Sequence, residues 1–270
     1  MDNRTPEERE YNFDSIKGLY LRREIEPEGG TLPKVLSQVE SFRQKAPIGT
    51  IAPNFTGMLL DGGEFNLEQM RGTNVFLIFG NITCPPCVNN IATTKPSLTE
   101  LYQKFRDQGI EFIWVYIRET HPGENFPSHK TLEQKINHAR RFKEDEKVPF
   151  PIVVDSLNGK IHKMFGEGNP NSCFLITWTG HIAYKSMWLD SSDLPAVFDD
   201  MVEWQRVDHG QRIFKKSYTE QIRICRETYD PDCVAKVVHT LERSGPSSLR
   251  EMEEFMGFSP LAWGSKEDNR

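Results

Sequence analysis

The segment Val75 to Phe79 is an unbroken apolar run of strand length, and it leads through Gly80-Asn81-Ile82-Thr83 into Cys84-Pro85-Pro86-Cys87. Apolar side chains at every position predict a strand buried on both faces. The two prolines cannot extend that strand, but a proline suits the first position of a helix, where its missing N–H has no partner in any case. The segment therefore predicts strand, tight turn, and a helix from Pro85 to Gln108, kinked near Pro96 and stopped by Gly109. A second buried strand follows in GIEFIWVYI, residues 109 to 117. The unit is βαβ, and its two strands are expected to be parallel.

Around this unit the pattern extends in both directions. APNFTGMLLDGGEFNL, residues 52 to 67, reads as two short strands about the Asp61-Gly62-Gly63 turn. Thr131 to Glu144 has helical period, Pro151 to Val154 is a short strand, and Ile161 to Phe165 is a brief helix. Cys173 to Trp178 and His181 to Met187 form a hairpin joined at Thr179-Gly180, and a helix from Ser192 to Gln205 closes the unit. The fold expected is α/β, a mixed central sheet flanked by helices. It occupies residues 47–205, with an N-terminal extension over 1–46 and a charged, helical C-terminal extension over 206–270.

A chain of 270 residues with net charge −6 and interleaved signs carries no electrostatic footprint for nucleic acid or an anionic membrane. MDNRTPEEREYNFDSIKGLY lacks the apolar centre of a signal peptide, and no run reaches the roughly 18 apolar residues of a membrane span. The expectation is a soluble, cytoplasmic protein. Five cysteines, an odd number in a chain large enough to bury a core, fit a reducing compartment and one reactive motif better than a disulfide framework.

A thiol becomes nucleophilic as its thiolate, which the N–H groups and positive dipole end of a helix stabilise. Cys84 is expected at such an N-cap as the attacking thiol, and Cys87, one turn on, as the resolving thiol. Half a zinc site and two inert buried cysteines are the competing readings. A second pair at ligand spacing is missing, since Cys173, Cys225 and Cys233 are isolated and no histidine pair completes the pattern. No metal is expected. At the end of a buried strand in a βαβ unit, Cys-x-x-Cys reads as thioredoxin-like. Pro170, just before the strand that opens the hairpin, stands where such proteins carry a cis-proline that faces the active cysteine and presents backbone to a substrate; an ordinary turn proline is the alternative.

Parallel strands end on one edge of the sheet, so the residues after Ile117 are expected near Cys84. They read Val115-Tyr116-Ile117-Arg118-Glu119-Thr120-His121, with a phenol, a carboxylate and an imidazole within six residues.

With both blocks in view the chain resembles the iodothyronine deiodinase family over roughly residues 50–200. Phe79-Gly80 and Thr83-Cys84-Pro85-Pro86 are similar to that family's Phe-Gly and Thr-selenocysteine-Pro-Pro, with Cys84 at the selenocysteine position. VYIRETH is similar to its Val-Tyr-Ile-Glu-Glu-Ala-His, Ser128-His129-Lys130-Thr131-Leu132 to its later histidine-containing helix start, and Pro151-Ile152-Val153-Val154-Asp155 to its Pro-Val-Val-Val-Asp strand. The resemblance implies Cys84 as nucleophile and Tyr116, Glu119, His121 and His129 as a hydrogen-bonding and proton-transfer group; beside them, Thr83 and Pro170 are the residues expected at the substrate. Such a relay would serve dehalogenation, disulfide exchange or peroxide reduction.

The departures favour disulfide exchange. Sulfur replaces selenium, Cys87 adds a resolving thiol where the animal enzymes have an apolar residue, and the N-terminal anchor is missing. Relative to thioredoxin, Thr83 replaces the usual Trp and Ile78 takes the place of the buried Asp, with Glu119 the candidate substitute. A peroxiredoxin would show Pro-x-x-x-Thr-x-x-Cys, a frame Cys84 lacks; a copper chaperone would pair Cys-x-x-x-Cys with a histidine placed unlike His209. The working expectation is a thiol-dependent oxidoreductase that needs no bound cofactor. It would take electrons from an external thiol reductant, such as a thioredoxin or glutathione system, and pass them to a small-molecule or protein disulfide. Outside enzymes, the apolar spacing of Tyr218 to Met256 allows a redox-sensing, docking or homodimerisation module, or helices packed on the parent domain. Cys225 and Cys233 flank Asp230-Pro231, and a bridge between them is the minor alternative to unpaired thiols.

Overall fold

The computed structural model describes residues 2–15, 23–25, 31–167, 170–208, 219–221 and 231–256. A short helix, α1 (Pro6–Tyr11), opens behind a capping box in which Thr5 and Glu8 bond each other's backbone N–H. The small hairpin β1 (Arg23–Ile25) and β2 (Thr31–Pro33) and helix α2 (Lys34–Gln44) follow. Strands β3 (Thr56–Leu59) and β4 (Glu64–Asn66) pair antiparallel about the predicted glycine turn. Gly62 and Gly63 both have positive φ there, which is why that turn is glycine.

The predicted βαβ unit is β5 (Asn74–Gly80), α3 (Pro85–Ala92), α4 (Leu98–Phe105) and β6 (Ile110–Tyr116). The single kinked helix expected over Pro85 to Gln108 is in fact two. The chain leaves helical geometry after Ala92, and a Ser97–Glu100 capping box starts α4 afresh, so the proline breaks rather than bends the helix. Gly109, at φ 85°, ends the segment in the left-handed region. Next come α5 (Leu132–Asp145), β7 (Ile152–Val154), α6 (Lys160–Met164), β8 (Cys173–Ile176), β9 (Ile182–Ser186) and α7 (Leu194–Asp208). The last elements are β10 (Thr219–Gln221), α8 (Pro231–Ser244) and α9 (Pro246–Met256).

The main sheet has the order β10-β9-β8-β5-β6-β7-β3-β4. Strands β5, β6 and β7 run parallel, while β8 lies antiparallel to β5 and β9 antiparallel to β8, giving the mixed thioredoxin-like sheet expected. The final strand, β10, lies parallel to β9, a placement that the helical reading of residues 206–270 did not contain.

Both faces of the centre are covered, which explains the unbroken apolar runs. Phe76 and Ile78 of β5 pack on one side with Phe112, Trp114, Phe142 and Phe198; Val75, Leu77 and Phe79 pack on the other with Phe42, Ile161, Phe165 and Phe174. Alternation along the strand assigns each residue to its core. No helix among the described residues is long and apolar enough to cross a membrane.

Candidate active site

The parallel register of β5 and β6 pairs Gly80 with Tyr116, so the chain leaves both strands at one point on one edge. From Gly80 it runs into the cysteine turn, and from Tyr116 into Arg118-Glu119-Thr120-His121. Cys84 is the N-cap of α3, with φ −95° and ψ 107°, and its carbonyl receives the N–H of Val88 at 3.1 Å. Cys87 lies one turn on, and its Sγ is 3.5 Å from the carbonyl oxygen of Pro170. Both thiols are reduced and fully buried. Pro170 is thus placed against the second cysteine; the bond that precedes it involves Asn169, outside the described residues.

The turn is held by Asn81. Its Oδ1 accepts the N–H groups of Thr83 at 3.1 Å and Thr120 at 3.2 Å, and its Nδ2 donates to Thr120 Oγ1 at 2.7 Å. The Thr83 hydroxyl accepts the backbone N–H of Thr120 and of His121, at 3.0 and 3.1 Å. Its one proton has two acceptors in reach, Glu119 Oε2 at 2.8 Å and Asn81 Oδ1 at 2.9 Å. The side chain next to Cys84 is in this way joined to the carboxylate from the neighbouring strand.

Glu119 is the hub. Its Oε1 accepts from Tyr116 Oη at 2.6 Å and faces His129 Nε2 at 3.0 Å and His138 Nδ1 at 2.9 Å. Tyr116 Oη also receives the N–H of Ile82 at 3.3 Å, a second tie to the cysteine turn. Burial pushes the Glu119 carboxyl up, but the hydrogen bonds from His129 and His138 outweigh it and hold the group below the usual carboxylate range. Burial lowers His129 to about 4, leaving it a neutral imidazole at neutral pH.

Of the residues read from sequence, Thr83, Tyr116, Glu119 and His129 form one hydrogen-bonded group beside Cys84. His121 does not join it through its ring: its backbone N–H reaches Thr83, while its buried Nδ1 has no partner among the described residues. Desolvation lowers its pKa to about 3. Two members were missed. Asn81 looked like one polar residue of a turn. His138 lies on the buried stripe Lys135, His138, Ala139, Phe142 of α5, where an imidazole in a helix face turned to the core was the available signal.

Helix α8 packs across α3, the helix that begins after Cys84 and carries Cys87. Val234, Val237 and Leu241 are buried there, and Asn89 of α3 donates to the carbonyl of Cys233 at 3.1 Å. Arg243 donates to the carbonyl of Ile82 at 2.9 Å and pairs with Glu146, while Ser244 Oγ donates to the carbonyl of His121. The described helices of the C-terminal extension are therefore packed on the parent domain, against α3 and the turn that precedes it. Cys225 and His209 fall outside the described residues.

A family model described as AhpC/TSA family matches residues 48–186. A thiol-disulfide oxidoreductase ResA of Bacillus cereus is 28% identical over 143 residues, 53% of this chain and 71% of that protein. The protein of the same name from Bacillus anthracis is 30% identical over 141 residues, 52% and 69%. A solved thioredoxin domain of a thiol-disulfide oxidoreductase from Bacteroides vulgatus aligns with TM-score 0.45 at 20% identity, covering 57% of this chain and 97% of that one. Neither the matched family nor these relatives is a deiodinase. The comparisons carry the thioredoxin-like part of the sequence reading and give no support to its deiodinase part.

Proposed function

The chain belongs to the AhpC/TSA family, and from that premise we propose that it is an oxidoreductase working by thiol–disulfide exchange, with Cys84 attacking and Cys87 resolving. The observation that carries this reading is Cys84 at the N-cap of α3 with Cys87 one turn behind it against Pro170. It agrees with the name of the relatives.

In the reaction, the Cys84 thiolate attacks one sulfur of a substrate disulfide; that S–S bond breaks and the departing thiolate takes a proton. Cys87 then attacks Cys84 Sγ, forming the Cys84–Cys87 disulfide and releasing the second substrate thiol. The substrate disulfide is reduced by two electrons and the dithiol oxidised by two. An external thiol reductant, of the thioredoxin or glutathione kind, reverses the change, which suits a reducing compartment. In this reading Thr83, next to Cys84 in the chain, and Glu119 hand on the proton leaving Cys84, and Pro170 is the residue that presents backbone to an extended substrate.

Reductive dehalogenation of an aromatic ring is the second reading, favoured by the Tyr116–Glu119–His129 group, which could return a proton to carbon. Peroxide reduction would use the same nucleophile. Purified protein, a dithiol reductant, and a panel of oxidised glutathione, a disulfide-bonded peptide, iodothyronines and hydrogen peroxide separate these readings. Disulfide turnover is expected, abolished in Cys84→Ser, with Cys87→Ser accumulating a mixed disulfide. Full turnover in Cys87→Ser overturns the resolving role, and dehalogenation without disulfide turnover replaces the reading.

A further inference from the structure

His138 is assigned no step in the proposed thiol–disulfide exchange, yet it brings a second imidazole nitrogen to the atoms at the hub of the site. Glu119 Oε1, His129 Nε2 and His138 Nδ1 form a closed triangle with sides of 3.0, 2.9 and 3.2 Å. Each residue offers one ligand atom, and all three residues are buried. We propose that Glu119, His129 and His138 are a binding site for one divalent transition-metal ion of the zinc or ferrous class.

The spacing fits the ion. Bonds of about 2.0–2.2 Å hold neighbouring ligand atoms about 2.8–3.6 Å apart, from right-angled to tetrahedral arrangements, so the triangle needs little adjustment to close on a cation. Hydrogen bonding alone satisfies it poorly. If both ring nitrogens donate to Glu119 Oε1, their own side of the triangle sets two N–H groups 3.2 Å apart, and if only one does, the other nitrogen's lone pair faces the carboxylate oxygen. A cation above the triangle receives all three lone pairs at once.

The surroundings already orient the carboxylate. Tyr116 Oη and Thr83 Oγ1 hold its two oxygens from outside the triangle, as second partners do for metal-bound carboxylates. Two imidazoles with one carboxylate select a borderline ion such as Zn²⁺, Fe²⁺ or Co²⁺ over Mg²⁺ or Ca²⁺, which prefer all-oxygen sites. Entry is by His138, whose side chain is 10% exposed while those of Glu119 and His129 are closed.

The dithiol is a competing ligand, so the test removes it. The full-length Cys84→Ser/Cys87→Ser protein, stripped with chelator, is titrated with Co²⁺ and read by visible absorption, then back-titrated with Zn²⁺. One equivalent is expected, with d–d bands of nitrogen and oxygen ligation, no thiolate-to-cobalt charge transfer, and displacement by Zn²⁺. Adding His138→Ala, or in a separate protein the closely shaped Glu119→Gln, is expected to weaken binding at least tenfold while far-ultraviolet dichroism is unchanged. No Co²⁺ uptake, uptake with thiolate bands, or undiminished uptake in both added variants overturns the site. Because the background lacks both thiols, each outcome is independent of the thiol–disulfide reading.

Discussion

Thr83 Oγ1 reaches Glu119 Oε2 across 2.8 Å, tying the residue before Cys84 to a carboxylate that arrives from the next strand. The same hydroxyl accepts two backbone N–H groups, from Thr120 and His121. Thr83→Val keeps the shape but leaves the buried His121 N–H without its acceptor and Glu119 Oε2 without its hydroxyl partner, while the Thr120 N–H keeps Asn81 Oδ1. A loss of about 1–3 kcal/mol is expected in urea unfolding, together with slower disulfide turnover, and Thr83→Ser should recover both. Wild-type stability in the valine variant would refute the link.

Arg243 fastens α8 to the cysteine turn through the carbonyl of Ile82 and through Glu146. With Cys84 fully buried, alkylation requires this cover to open. Hydrogen bonds to a charged group contribute about 1.5 kcal/mol or more, so Arg243→Ala should speed Cys84 alkylation about tenfold and lower global stability by a similar amount. An unaltered rate, read by mass spectrometry of the Cys84 peptide, would show that access does not pass under α8.

His162 joins α1 to the body of the fold. Its Nδ1 accepts from Tyr11 Oη at 3.0 Å and from Arg118 Nη1 at 3.2 Å, which fixes the ring neutral with its proton on Nε2. Burial, then the charges of Arg118, Lys135 and Lys163, pull its pKa well below the ordinary value. The unfolded chain takes up a proton below about pH 6.5 and the folded chain does not, so this residue's contribution is present above that pH and is lost as pH falls. Urea midpoints at pH 7.5 and pH 5 should drop further in wild type than in His162→Gln. Equal drops would remove His162 as the cause.

Gly80 ends β5 beneath the indole of Trp114, whose Nε1 donates to the Gly80 carbonyl at 3.2 Å. A methyl group there would overlap the Trp114 ring. Gly80→Ala should cost about 3 kcal/mol and slow turnover by displacing the cysteine turn; a stability change within about 0.5 kcal/mol, the scatter of surface substitutions, would contradict this packing.

Much of this arrangement was legible because it rests on local rules. An apolar run followed by Cys-Pro-Pro-Cys can hardly be other than strand, turn and helix, and parallel pairing of Gly80 with Tyr116 carries Glu119 to the same edge. What was not legible depends on distant chain. The break between α3 and α4 turned on whether Ser97 and Glu100 would cap a new helix rather than continue a bent one. His121 was grouped with its neighbours by proximity in sequence, but its backbone faces Thr83 while its ring goes elsewhere. His138 came nine residues after His129 and reached Glu119 only because α5 turns that face inward. β10 pairs with β9 across a long intervening stretch, and three polar residues carry no strand pattern of their own.

The contact between Cys87 Sγ and the Pro170 carbonyl has a further meaning once the dithiol closes. A disulfide carries no S–H proton, so oxidation withdraws this donor from the Pro170 oxygen. Two residues on, the carbonyl of Ser172 receives the N–H of Phe79 at 2.9 Å and sets where β8 begins beside β5. The segment from Pro170 to Ser172 thus answers to the oxidation state at one end and to the sheet at the other.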